Sequence, residues 1–187
     1  QNALLDALLI ATKCGRFSYF LTRAAVFKKS FVSRILNSLQ MLPVYRVRDG
    51  WSTITNNNAI FESCSEILKK NEAIVIFPEG SHNLVRRVRP LSKGFTRIVF
   101  DTLEKYPDLD LQLVPIGLNF VNAKQCPDTS AMYFGKAISA KDFVNDNKNE
   151  AVVSLKKEIH CALKKLTTHI PEDNYEENLY KLDAIGV

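Results

Sequence analysis

A chain of 187 residues suits one folded domain with a sizeable core, and its 46% hydrophobic and 24% charged residues are ordinary for a globular protein. The net charge of +5 favours an anionic partner, for which nucleic acid, phosphorylated substrates and acidic membrane surfaces all qualify. Four widely spaced cysteines, with no Cys-x-x-Cys pair, argue against a zinc site and a disulfide framework and favour a reducing cytosol.

Helical and strand patterns occur along the whole chain, which is typical of an α/β fold. We predict a single domain over residues 1–170, with a mixed, largely parallel sheet flanked by helices, and a peripheral acidic tail at 171–187. The predicted elements are a helix capped by Asn2, a strand at 18–21, an amphipathic helix or helix pair at 24–39, a strand through 44–45, a helix ending near 70, a strand at 74–77, a helix at 95–105, strands at 111–118 and 131–134, and a helical stripe from 152 to 170.

The segment 24–39 mixes apolar residues with lysine and arginine, so it is predicted to be amphipathic with a basic face. One interpretation is a helix that packs on the core and leaves its charges in solvent. The other is a surface that meets anionic lipid. The pattern leaves both interpretations open.

The apolar residues 74–77 are predicted to form a strand that is buried on both faces. Pro78 cannot extend the hydrogen-bond ladder, so Glu79, Gly80, Ser81 and His82 fall in the loop at the carboxyl end of that strand. Open α/β sheets bind their ligands at such loops. We therefore expect the functional site here.

A basic segment follows this loop. Between Ser81 and Phe100 the sequence has five cations and no acid. Such a segment can contact phosphate groups, although an exposed, solvated loop explains it almost as well. The candidates for phosphate contacts are Arg86, Arg87, Arg89 and Lys93.

Four short segments together resemble a known family. They are residues 1–6 (Gln-Asn-Ala-Leu-Leu-Asp), 42–46 (Leu-Pro-Val-Tyr-Arg), 77–81 (Phe-Pro-Glu-Gly-Ser) and 114–117 (Val-Pro-Ile-Gly). Their order and spacing resemble the four sequence blocks of the glycerolipid acyltransferases, which acylate glycerol-3-phosphate or lysophosphatidic acid. The resemblance extends from Gln1 to about Ile138 and implies the fold of the glycerol-3-phosphate acyltransferases. The Gly-Ser-His form of the third block resembles the branch that includes fungal glycerol-3-phosphate acyltransferases.

In this family the first block pairs a catalytic histidine with an aspartate a few positions later. The resemblance matches Asp6 to that aspartate and places the histidine just before Gln1, so we expect the natural chain to extend further upstream. The histidine would act as the base and Asp6 would orient it, as in the His-Asp part of a serine-hydrolase triad, with the substrate hydroxyl as nucleophile. Without this context Asp6 would be an ordinary acid in the first turn of a helix.

The resemblance also implies roles for residues of the other blocks. Arg46 would bind a phosphate with two parallel bonds, since it follows a strand where the family's second block has an arginine. Glu79 would orient the glycerol hydroxyls or hold an arginine, and Gly80 would let the backbone approach the ligand closely. Ser81, His82 and Lys93 are further candidates for substrate binding, and for Lys93 the resemblance favours this role because the family often has Lys-Gly shortly after its third block. Arg86, Arg87 and Arg89 stay candidates for the donor phosphates on the basic character of their segment alone. His82 is interpreted as a wall residue, not as the base, and His160 and His169 as structural.

We therefore predict an acyltransferase that moves a fatty acyl chain from acyl-CoA or acyl carrier protein to glycerol-3-phosphate or lysophosphatidic acid. No metal or redox cofactor is implied, and no nucleic acid partner. The sequence shows no apolar run near the ~20 residues of a spanning helix and no signal peptide. Because the product is a lipid, we expect a cytoplasmic protein attached peripherally to an anionic membrane surface on its inner face, through the basic N-terminal helices or an upstream segment.

Two other classes of protein compete with this prediction. The first is a non-catalytic module that binds anionic lipid or another polyanion through the basic segment. Its nucleic-acid version is weakened because aromatic residues do not interleave with the basic residues. The second is a serine hydrolase that uses Ser81, which lacks the Gly-x-Ser-x-Gly elbow. A histidine immediately before Gln1 would favour the acyltransferase over the binding module.

Overall fold

The computed structural model describes residues 3–28, 30–45, 56–80, 85–120 and 129–184. These residues form a mixed α/β fold with a parallel sheet flanked by helices, which confirms the predicted fold class. The helices are α1 (Ala3–Lys13), α2 (Ser30–Ser38), α3 (Asn56–Lys69), α4 (Gly94–Lys105), α5 (Lys148–Leu166) and α6 (Tyr175–Ala184). The strands are β1 (Ser18–Arg23), β2 (Met41–Val44), β3 (Ala73–Val75), β4 (Gln112–Leu113), β5 (Ile116–Phe120), β6 (Ser130–Phe134) and β7 (Ile138–Ser139).

The chain divides into two compact units that alternate along the sequence. Ala7–Pro78 and Lys93–Leu111 belong to one, which we call the parallel-sheet unit. Gln1–Asp6, Glu79–Ser92 and Gln112–Val187 belong to the other, which we call the antiparallel unit. The predicted boundary at residue 170 stays a prediction.

In the parallel-sheet unit, β1 lies between β2 and β3 and is parallel to both. Helix α2 connects β1 to β2 and α3 connects β2 to β3, as parallel strands require long crossover connections. Pro43 sits in β2, which has β1 as its neighbour on one side, and an edge position tolerates a residue without an N–H donor. The order of these elements agrees with the sequence prediction.

One buried cluster joins the sheet to two helices of this unit. Phe61 and Cys64 of α3 and Ile98 of α4 are buried, and partly buried residues of all three strands pack against them. The hydroxyl groups of Ser65 and Thr102 also lie in this helix contact, 2.8 Å apart, and each is hydrogen-bonded, so their burial leaves no polar group unsatisfied. Helices α3 and α4 therefore pack as a pair against the sheet.

The prediction for residues 74–77 was wrong in extent and in burial. Strand β3 ends at Val75, its residues are half-buried, and the Phe77 side chain is 36% exposed. In the described part of the chain β3 pairs with β1 alone, so it is an edge strand that its neighbours cover incompletely. An edge strand does not need the two buried faces that the apolar run suggested.

The prediction of one strand over 111–118 was also wrong. Two short strands, β4 and β5, replace it, and they pair antiparallel with different partners, β7 and β6. The break falls at Pro115, which has no N–H to donate, and its carbonyl accepts the N–H of Gly135 at 2.8 Å instead. The antiparallel unit therefore has two small sheets and no parallel pair in its described residues.

Helix α5 packs its C-terminal end against β5. Asn147 caps its start by accepting the N–H groups of Asn149 and Glu150. Its buried residues are Ala151, Leu155 and Ile159, spaced by four positions; Leu155 and Ile159 belong to the predicted stripe, whereas Ala151 precedes it. The helix ends at Leu166, however, so Ile170 is buried in the segment that follows it and does not belong to the helical stripe.

Candidate active site

The loop after β3 makes a sharp turn at the third block. Gly80 has a φ of +67°, in the left-handed region that other residues enter at a cost, and no heavy atom lies within 4 Å of the place where a Cβ would be. Glu79 is half-buried, and its Oε1 accepts the backbone N–H of Arg89 at 3.4 Å. The carboxylate of the third block is therefore linked to the basic segment that follows it. Ser81 and His82 lie outside the described residues.

Asp6 lies in the first turn of α1 and is 7% exposed. The N-terminal end of a helix favours a negative charge, which lowers the cost of burying this carboxylate. Asp6 belongs to the same compact unit as Glu79, Gly80 and residues 86–89 of the basic segment. The structure thus brings most of the predicted site residues into one unit.

One predicted substrate residue, Lys93, lies in the other unit. Lys93 is exposed and belongs to the parallel-sheet unit, at the N-terminal cap of α4, where its carbonyl accepts the hydroxyl of Thr96 at 2.8 Å. Arg46 lies outside the described residues. The residue before it, Tyr45, exchanges two hydrogen bonds with the buried side chain of Asn57, at 2.9 and 2.8 Å. This amide holds the backbone at the end of β2, a role that the sequence did not indicate.

The basic segment is held by residues near the C-terminal end of the described chain. The N–H of Arg86 donates to the Tyr175 hydroxyl at 2.9 Å, and its carbonyl accepts the N–H of Ile170 at 2.8 Å. The N–H of Val88 donates to His169 Nδ1 at 3.0 Å. These partners are 81 to 89 positions apart in the sequence, and all of them belong to the antiparallel unit.

The guanidinium of Arg87 already has protein partners. Its Nε donates to the carbonyl of Ile170 at 3.2 Å, and one terminal nitrogen lies 3.0 Å from the Glu172 carboxylate. It also lies over the ring of Tyr175, 5.6 Å from the ring centre. Arg87 was predicted from sequence to contact donor phosphates, and these contacts give it a second, structural role.

The imidazole of His169 acts as a hydrogen-bond acceptor. Burial lowers the pKa of its imidazole below the usual value, and electrostatic interactions with Lys164, His160 and Arg87 lower it further. Only an unprotonated Nδ1 can accept the N–H of Val88, so the shift and the hydrogen bond agree. Sequence reasoning treated His169 as structural and gave Tyr175 no role, because no local pattern indicates contacts over such separations.

Cys64 is not available as a nucleophile. Burial raises the pKa of its thiol to about 12, so it stays protonated near neutral pH.

The model of the family described as Acyltransferase matches residues 2–119, so the chain belongs to the acyltransferase family. The match includes the candidate residues from Asp6 to Lys93. Over 118 residues the chain is 26% identical to an uncharacterized acyltransferase of Schizosaccharomyces pombe and 25% identical to glycerol-3-phosphate O-acyltransferase 1 of Saccharomyces cerevisiae. These stretches cover 60% of this chain but 18% and 16% of the yeast proteins, so the chain spans a small part of their length.

Among solved structures, the chain is similar to the 1-acyl-sn-glycerophosphate acyltransferase PlsC of Thermotoga maritima. The TM-score is 0.48 with 14% sequence identity, over 80% of this chain and 57% of that one. In the described parts of the chain, we find no helix with the length and hydrophobicity needed to cross a membrane.

Proposed function

We propose that the chain transfers a fatty acyl group from an acyl-CoA or acyl carrier protein thioester to a hydroxyl of glycerol-3-phosphate or lysophosphatidic acid. The observation that carries this proposal is the family match over residues 2–119, which contains every candidate site residue. The similarity to a yeast glycerol-3-phosphate O-acyltransferase supports a glycerol phosphate as acceptor.

The proposed reaction needs a base, a group that orients it and donors for an oxyanion. In this proposal the histidine of the family's first block takes the proton of the acceptor hydroxyl, and Asp6 holds its imidazole. The hydroxyl oxygen then attacks the thioester carbonyl, and the tetrahedral oxyanion collapses with cleavage of the carbon–sulfur bond. The thiolate leaves and takes the proton from the histidine. This scheme needs no metal or redox cofactor.

Charged side chains are proposed to bind the two substrates. Arg46 binds the phosphate of the acceptor, and Glu79 orients its glycerol hydroxyls next to Gly80. Arg86 and Arg89 meet the phosphates of the donor, whereas Arg87 anchors the segment through Ile170 and Glu172. We further propose that Ser81 and His82 line the wall of the site and that Lys93 binds near the donor.

Thiol release from acyl-CoA tests this proposal. The full-length natural protein is assayed with glycerol-3-phosphate and lysophosphatidic acid as separate acceptors. We expect release that depends on one of them, which also identifies the acceptor. If neither acceptor stimulates release, with acyl carrier protein also tried as donor, the proposal is wrong and a binding module that retains the basic segment takes its place.

The exposed face of α2 supports membrane attachment in the same proposal. Phe31 and Ile35 of α2, and Leu39 directly after its end, are spaced by four positions and are 73%, 43% and 54% exposed, with exposed Arg34 beside them. Leu36, on another face, is buried. An apolar stripe next to cations is the pattern of a helix that lies in the interface of an anionic bilayer. We propose that α2 contacts this surface.

Replacing Phe31 with Ser is expected to lower vesicle binding about tenfold, because the phenyl ring can no longer be buried in lipid. The measurement is flotation at low salt with phosphatidylcholine vesicles, with and without phosphatidylserine. Val153→Ser is the matched control, since Val153 is 66% exposed on α5. Equal loss in both variants, or no binding by the unaltered protein, contradicts the assignment of α2.

A further inference from the structure

The basic segment after the third block is fastened on two sides. On one side, residues 169–175 bind its backbone through His169, Ile170 and Tyr175. On the other side, Arg89 donates its N–H to Glu79 at 3.4 Å. The segment is therefore connected both to the third-block carboxylate and to a distant part of the chain.

The backbone N–H groups of residues 86–89 all have hydrogen-bond partners. The N–H groups of Arg86, Val88 and Arg89 have the partners given above, and the N–H of Arg87 donates to the carbonyl of Val85 at 2.8 Å. Four consecutive N–H groups thus have fixed partners, although none of them lies in a helix or a strand. Since buried backbone groups need partners, a change in one of these bonds moves the others.

The two side chains that provide this support lie outside the family match, which ends at residue 119. His169 accepts a hydrogen bond and Tyr175 accepts another through its hydroxyl, so both hold the backbone of the segment. The ring of Tyr175 also lies against the guanidinium of Arg87. These hydrogen bonds therefore fix the backbone from which the arginine side chains extend. A small shift of this backbone would move the guanidinium groups.

We propose that His169 and Tyr175 are positioning residues for the acyl donor. They fix residues 86–89 so that Arg86 and Arg89 meet the phosphates of the donor and Glu79 keeps its orientation in the third block. Neither residue touches the substrate. This inference rests on the proposed function, because it assigns a role within the same site.

Steady-state kinetics of His169→Ala and Tyr175→Phe test the inference in the full-length natural protein. We expect each to raise the KM for acyl-CoA about three- to tenfold, the effect of one lost hydrogen bond, with kcat nearly unchanged. Tyr175→Phe keeps the ring beside Arg87 and removes the hydroxyl alone. His169→Asn is expected to restore the KM, since its amide oxygen can accept the N–H of Val88.

A matched variant separates positioning from loss of stability. Ile159→Val changes a buried residue of α5 in the same unit and leaves the bonds to residues 86–88 in place. We expect it to leave the KM for acyl-CoA unchanged, whereas His169→Ala and Tyr175→Phe also speed hydrogen exchange at the amides of residues 86 and 88.

Two results would overturn the inference. One is an unchanged KM in both His169→Ala and Tyr175→Phe, and the other is an equal rise in Ile159→Val. An unaltered protein without acceptor-dependent transfer refutes the proposed function itself, and this failure is seen before any variant is compared.

Discussion

Replacing Asp6 with Asn is expected to slow acyl transfer by at least about 100-fold, because an amide cannot hold the histidine in the tautomer that takes the hydroxyl proton. Asparagine has nearly the size of aspartate, so the substitution leaves no cavity at this buried position, which is 7% exposed. The loss should fall on kcat, with the KM values for both substrates nearly unchanged, since Asp6 does not bind them. Acceptor-dependent thiol release measures both constants.

The control for this variant is Glu150→Gln. Glu150 is also an acid in the first turn of a helix, but it is exposed and lies in α5, outside the family match. We expect it to retain full activity. If Asp6→Asn loses no more activity than Glu150→Gln, Asp6 is an ordinary first-turn acid and the His-Asp mechanism fails.

Replacing Gly117 with Ala is expected to lower the free energy of unfolding by about 3 kcal/mol, near the upper end for overpacking. A Cβ at this position would lie 2.7 Å from the carbonyl carbon of Leu166, which is backbone at the end of α5 and cannot turn away as a side chain would. The same carbonyl accepts Asn119 Nδ2 at 2.9 Å, so displacing it also disturbs a hydrogen bond. Urea unfolding measures the change.

Gly80→Ala is the matched control for Gly117→Ala. Gly80 has open space around it, and an alanine there meets only the cost of a left-handed backbone, about 1 to 2 kcal/mol. We expect Gly117→Ala to be the more destabilising variant. The opposite order would show that β5 and α5 adapt to the added methyl group, and that close packing does not explain the glycine of the fourth block.

Elements with a strong periodic pattern were predictable from the sequence. Helices α3, α4 and α5 have apolar residues at helical spacing, and their approximate positions follow from that pattern. The prediction of one strand over 111–118 was wrong because the apolar pattern does not show that Pro115 divides this run between two antiparallel partners. The predicted burial of β3 was wrong because burial depends on the neighbours of a strand in the sheet, which a short apolar run does not reveal.

The sequence predicted the four blocks of the candidate site, but not the distant residues that hold the basic segment in place. The segments at residues 1–6, 42–46, 77–81 and 114–117 were sufficient to predict the family, which the match confirms. The contacts of His169 and Tyr175 join residues more than 80 positions apart, and no local signal marks them. The need for glycine at position 117 was equally hidden from the sequence, because the atoms that a Cβ would meet belong to Leu166 at the end of α5.

Analysis of the product from isotope-labelled acyl-CoA tests the central claim most directly. The full-length natural protein is incubated with the labelled donor and glycerol-3-phosphate or lysophosphatidic acid, and the lipids are identified by mass spectrometry. We expect the label to be recovered as an ester on the glycerol phosphate. Label found in free fatty acid alone, or left in the donor, would contradict acyl transfer to a hydroxyl.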